Sequence, residues 1–124
     1  MEALIVLTSK YTVNETIDRL VILLEGLEMT IYARINRQTE FKRCGPRSQS
    51  MQYILFDDPK LSCYLIEKYP ILALGFPMKI IAWQDGGCKV AYEDPVVMMQ
   101  IHDPTLGEIH WPDLRTNILQ ALEK

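Results

Sequence analysis

The sequence predicts an α+β domain, a mostly antiparallel sheet with helices packed on one face, and three stretches carry that expectation. Phe76 to Pro95 reads as a β-hairpin followed at once by a helix start. Thr12 to Leu27 reads as a capped amphipathic helix. The third is the order of the remaining segments, which runs strand, long helix, four strands with short helices inserted, then a final helix.

In chain order, Ala3 to Thr8 is a short apolar run that suits an interior strand. Thr12 and Glu15 stand at capping-box spacing, where a hydroxyl and a carboxylate satisfy the first free backbone donors of a helix. Val13, Ile17, Leu20, Val21, Leu24 and Leu27 then recur at helical spacing, so that face should cover a sheet. Thr30 to Asn36 alternates Ile31, Ala33 and Ile35 against Tyr32, Arg34 and Asn36, the pattern of a half-buried strand. Arg37 to Ser50 is polar and broken at Gly45-Pro46, a loop with room for one helical turn.

Met51 to Phe56 is the next strand, closed by Asp57-Asp58-Pro59 because the residue before a proline resists the α region. Lys60 to Tyr69 has helical spacing, and Pro70, Gly75 and Pro77 break the stretch between it and the hairpin. In the hairpin, Lys79 to Trp83 and Cys88 to Tyr92 are the strands and Asp85-Gly86-Gly87 the turn. Asp94 is placed to cap a helix that starts at Pro95 and runs through Val96 to Ile101. A last amphipathic helix begins near Trp111-Pro112-Asp113 and carries Leu114, Ile118, Ala121 and Leu122 on one side. Residues 1–124 therefore read as a single domain.

The totals narrow the function classes. A 48% hydrophobic content excludes a disordered chain, and a net charge of −3 gives polyanions no global attraction, so no nucleic-acid partner is expected. The 3 cysteines have no paired spacing, which suits reduced thiols in a cytoplasmic protein. Ala3 to Leu7 is too short for a leader's apolar core and follows the acid Glu2; Leu20 to Leu24 is far below a membrane span. No membrane partner and no cofactor are expected.

Several segments in order resemble one family. They are Ser9-Lys10-Tyr11 with the Glu15 to Leu20 helix, Tyr32-Ala33-Arg34-Ile35, Leu55 to Pro59, Pro77-Met78-Lys79, Trp83-Gln84-Asp85 and Tyr92 to Pro95. The set is similar to the bacterial and archaeal family known as domain of unknown function 302, over about residues 8 to 101. The resemblance implies a TATA-binding-protein-like fold, strand, helix, four strands, helix, and a homodimer; it implies no activity. Where that family commonly carries Ile-Asp-His, this chain has Ile35-Asn36-Arg37, which marks it as a divergent member.

Among residues that could carry chemistry, the basic run stands out. Arg34, Arg37, Lys42, Arg43 and Arg47 face the single acid Glu40, and an Arg fork suits carboxylate or phosphate. The candidate is an anion site of Arg34, Arg37, Lys42 and Arg43, with Tyr32 and Phe41 as aromatic walls; the plain alternative is a solvated charged loop. The acids Asp57, Asp58, Asp85, Glu93 and Asp94 sit at turns and helix starts, where Asp satisfies backbone donors, so their expected role is structural. Cys88, His102 and His110 match no zinc spacing, so no metal site is assigned; Cys63 and Cys88 read as small buried hydrophobes and the histidines as surface groups. Met78, Met98 and Met99 beside Val96 and Val97 read as core, with a subunit contact as the alternative.

The function these readings favour is a non-enzymatic, dimeric module that binds a small, anionic ligand in a groove beside the sheet. The alternative class is an enzyme using Asp or Cys side chains in a pocket there, and no nucleophile, base and orienter stand at a recognisable spacing to support it.

Overall fold

The computed structural model describes residues 4–44, 50–106, 111 and 113–124, apart from the side chains of Phe41 and Cys44. In order they form β1 (Leu4–Ser9), α1 (Val13–Gly26), β2 (Thr30–Asn36), α2 (Gln38–Cys44), β3 (Met51–Asp57), α3 (Pro59–Lys68), a 3-10 turn (Pro70–Leu74), β4 (Met78–Gln84), β5 (Cys88–Glu93), α4 (Pro95–His102) and α5 (Leu114–Glu123). The strands make one five-stranded sheet in the order β1-β5-β4-β3-β2, and every neighbouring pair is antiparallel.

Local chemistry explains the boundaries. Thr12 Oγ1 accepts the Glu15 amide at 3.1 Å, which starts α1 as the capping-box spacing predicts. Asp94 Oδ1 accepts the Val96 and Val97 amides at 3.0 and 3.1 Å, and Pro95 sits where a missing N–H costs nothing. The hairpin turn uses positive φ at Gly86 (62°) and Gly87 (143°), a region that side chains with a Cβ rarely enter.

Helices α1 and α5 lie against one face of the sheet and against each other. Val13, Thr16, Ile17, Leu20 and Leu24 of α1 are buried, as are Leu114, Ile118 and Leu122 of α5. They meet Leu7, Ile54, Phe56, Ile80, Val90 and Tyr92 from the strands in one core cluster. The cluster extends to Leu65, Leu72, Met98 and Met99, so α3, the 3-10 turn and α4 close the same core. Met78, Met98 and Met99 are thus core residues, which leaves none of them at a subunit surface.

Strand β2 departs from the simple alternation. The register shifts between Ile31 and Ala33, a β-bulge that puts two residues opposite one. Ile31 therefore pairs with Phe56 and Arg34 with Ile54 on the helix side, while Ala33 and Ile35 pair with Leu55 and Tyr53 on the other face. One inserted residue flips every side chain beyond it, so Ile31 parts from Ala33 and Ile35. The polar segment after β2 also holds more structure than one turn, since Gln38–Cys44 is helical and Asn36 Oδ1 accepts the Gln38 amide at 2.9 Å.

The second sheet face carries Val6, Ala33, Ile35, Tyr53, Leu55, Ile81, Trp83 and Ala91 by register, together with the charged Lys79, Lys89 and Glu93. Val6 is exposed and Leu55, Ile81 and Trp83 are half-buried.

Candidate functional site

The bulge decides what Arg34 does. Turned to the helix side, its guanidinium donates to Asp18 Oδ1 at 2.5 Å, to Asn14 Oδ1 at 3.1 Å and, through Nε, to Gln52 Oε1 at 3.1 Å. Gln52 Nε2 in turn donates to Asn14 Oδ1 at 3.1 Å. Arg34 thereby ties α1 to β2 and β3 rather than facing solvent with its fork open. Arg37 donates to the Tyr53 hydroxyl at 2.9 Å and pairs with Glu40, and both contacts hold its pKa above the usual value. Lys42 and Arg43 are exposed on α2, and Tyr32 is exposed at the bulge. The five residues are spread over the sheet edge, its far face and a helix; Arg47 lies outside the described residues.

The acids divide. Asp94 caps a helix as its sequence position predicts, whereas Asp58 makes no side-chain cap to α3. Asp57 is buried, with an Oδ1 that has no partner. Desolvation raises its pKa, against a smaller opposing effect of a hydrogen bond from Ser62. A carboxyl whose folded pKa is raised costs stability as pH climbs from its unfolded value, about 3.9, through the raised one, and that cost persists at neutral pH. Replacing Asp57 by Asn should therefore stabilise the fold at pH 7 and lose that advantage below about pH 4, by denaturant midpoints at both pH values.

Cys88 is buried and Cys63 is exposed, which corrects the expectation that both are buried. The Cys88 thiol lies 3.5 Å from Thr16 Oγ1, itself 2.6 Å from Ser9 Oγ, so it belongs to a short polar chain inside the core. His102 is partly exposed, and His110 lies outside the described residues. Among the described residues no three His, Cys, Asp or Glu side chains are grouped to hold a metal ion.

The most distinctive concavity joins residues that sequence spacing does not connect. A cavity of about 270 Å³ lies between β1, β5 and the starts of α4 and α5, lined by Ile5, Tyr92, Asp94, Val96, Trp111, Asp113, Leu114 and Arg115 among others. Two of its lining residues carry a polar atom that is shielded from solvent and has no hydrogen-bond partner among the described residues, the Tyr92 hydroxyl oxygen and Trp111 Nε1. Burial pushes the Tyr92 pKa up to about 12, so the phenol keeps its proton and can donate. The Trp111 ring stacks on Phe76 with centroids 5.5 Å apart.

Asp94 commits only Oδ1 to its helix cap, and Asp113 accepts the Thr116 amide at 3.2 Å and the Thr116 hydroxyl at 2.9 Å. Those bonds hold the Asp113 pKa below the usual carboxylate range. The Arg115 guanidinium has no hydrogen bond or ion pair among the described residues, while its backbone amide donates to Asp113. A buried donor without a partner costs about 1–3 kcal/mol, and Tyr92 and Trp111 each carry one, whereas Arg115 and Asp113 are exposed. A second hollow of about 340 Å³, beside Gly75, Met98 and His102, includes none of the buried unpartnered atoms.

The comparisons with known proteins agree with this architecture. The model of the family described as "Domain of unknown function DUF302" matches residues 5–124. A crystal structure described as an uncharacterized conserved DUF302 protein from Bacillus stearothermophilus superposes with a TM-score of 0.78 at 19% identity, covering 98% of this chain and 97% of that one. The chain is 27% identical over 101 residues to "Fluoride-specific ion channel FluC 1" of Brucella suis, and the match covers 80% of this chain and 40% of that protein. "Fluoride-specific ion channel FluC 2" of Brucella melitensis matches equally, over 37% of its length. The chain thus spans about two fifths of these relatives.

Proposed function

Since this chain belongs to the DUF302 family, we propose that it is a binding module, cytoplasmic and dimeric, that holds a small polar ligand in the cavity beside β1 and β5. The observation that carries this reading is that two residues lining the cavity, Tyr92 and Trp111, each hold a buried donor unpartnered among the described residues, in a lining that also includes Arg115 and Asp94. Ligand pockets are mostly apolar with a few convergent polar groups, and this one, though near the lower end of their usual size, has that mixture. A binding role is preferred to catalysis because the side chains there are donors and helix caps, and the described lining residues include no Ser, Thr, Cys, Lys or His.

The basic residues Arg34, Arg37, Lys42 and Arg43, with Tyr32, remain the alternative anion site. The bonding of Arg34 to Asp18, Asn14 and Gln52 favours a structural role for it. Fluoride conduction is a property in the names of the Brucella relatives. Among the described residues no helix is long and apolar enough to cross a membrane, which favours a binding domain over a pore for the shared portion.

Thermal-shift screening of a metabolite library that includes sodium fluoride tests the reading, because a ligand that prefers the native state raises apparent stability. Compounds that protect the protein should lose their effect in Val96→Trp, which fills the cavity. Hits that protect both forms alike would refute the pocket as the site.

We base the dimer on the second sheet face, where Val6, Leu55, Ile81 and Trp83 lie opposite the helices beside Lys79 and Lys89, which share that face by register. A partly apolar face of this kind suits an interaction surface. Light scattering at tens of micromolar should give a dimer, and Ile81→Lys, whose side chain points away from the core, should give a folded monomer. A monomeric parent protein would remove this part of the proposal.

A further inference from the structure

We infer that the ligand of the Tyr92 and Trp111 cavity is a small zwitterion, a molecule carrying a carboxylate and an ammonium on a short apolar body. This rests on the reading of the cavity as the binding site. Its polar groups fall into two sets of opposite demand. Tyr92 Oη, Trp111 Nε1 and the Arg115 guanidinium are donors that call for an anionic oxygen pair, and the first two have no partner among the described residues. Asp94 offers the oxygen its helix cap leaves over, and Asp113, held ionised by Thr116, adds a second negative charge.

Charge disfavours the simpler ligands. Among the described residues the lining has the side chains of one Arg and two Asp, so a lone carboxylate meets like charge beside Arg115, an effect that solvent screens at the exposed Asp113. A lone amine would satisfy the acids and leave both buried donors unmet, with their desolvation uncompensated. A molecule with both groups answers both sets at once, and the two carboxylates then face the ammonium. Ile5, Val96 and Leu114 supply an apolar wall for its body.

Tyr92 is only 4% exposed, and its hydroxyl and Trp111 Nε1 are shielded from bulk water. A ligand reaches them only if the wall moves to open them. Arg115 and Asp113 are exposed, so the charged contacts with the ligand form at the solvent boundary. The volume of about 270 Å³ suits a compact molecule such as an amino acid with a branched aliphatic side chain.

Three probes that share one carbon body separate the possibilities by calorimetric titration: L-leucine, 4-methylpentanoate and 3-methylbutylamine. L-leucine should bind at least tenfold more tightly than either half-molecule. Tyr92→Phe and Arg115→Gln should each weaken it by tenfold or more, and Asp94→Asn, which retains a capping oxygen, should erase its preference over 4-methylpentanoate. Tighter binding of 4-methylpentanoate or of 3-methylbutylamine overturns the ligand class and leaves the cavity as the site. Absence of heat with all three, while library hits still depend on Val96, also overturns the class alone. Hits indifferent to Val96→Trp overturn the cavity itself.

Discussion

Phe56→Ala should lower the unfolding free energy by about 3–5 kcal/mol, the range for removing a large aromatic side chain from a packed interior. Phe56 is 1% exposed and stands on the helix side of β3, paired across the sheet with Met78 and, before the bulge, with Ile31. Its loss would leave a void in the core cluster that also holds Leu20 and Leu24 of α1. Domains of this size are stable by only about 5–15 kcal/mol, so one truncation should consume a large share of that margin. Urea titration followed by far-ultraviolet circular dichroism reads the change as a shifted midpoint at constant slope. A loss under about 1 kcal/mol would mean that the helix layer does not rest on this side chain.

Replacing Arg34 by Ala should cost about 1–3 kcal/mol of stability and leave the affinity of the cavity for its ligand unchanged. The substitution strips partners from Asp18, Asn14 and the buried Gln52, and it severs the tie between α1 and the edge of the sheet. Half of the Asp18 side chain is exposed, at 52%, so the ion pair itself adds little, and the larger share comes from Gln52 and Asn14. An anion site at Arg34 makes the opposite forecast, a stable protein with lost affinity. The pair of measurements thus separates a structural arginine from a binding one.

The basic run illustrates where sequence reasoning reaches its limit. Alternation over Thr30 to Asn36 placed Arg34 on the side away from Ile31, and a bulge after Ile31 turned it to the helix face beside Ile31. Nothing in a period-two pattern announces an inserted residue, since a bulge is a matter of pairing with the neighbouring strand. The hairpin, the capping box at Thr12 and the cap at Asp94 were legible because each is local, fixed by residues within a few positions of one another. The Thr16 hydroxyl in the core was not, because its partners Ser9 and Cys88 come from two strands.

The cavity was illegible for the same reason. Tyr92 read as a strand residue and Trp111 as part of a helix start, and only the packing of α4 and α5 against β1 and β5 brings them to one wall. A tyrosine and a tryptophan announce no chemistry by spacing alone. What distinguishes them is the want of a partner, which is a property of the fold.

The two tryptophans give the most direct test. Trp83 lies on the far face of the sheet and Trp111 in the cavity wall, so each contributes its own indole N–H signal to a nitrogen-proton correlation spectrum. Titration with a ligand found by screening should move the Trp111 signal together with the amides of Val96, Val97 and Arg115, and leave Trp83 in place. Shifts gathered at Arg37 to Arg43 with Trp111 unmoved would contradict the account.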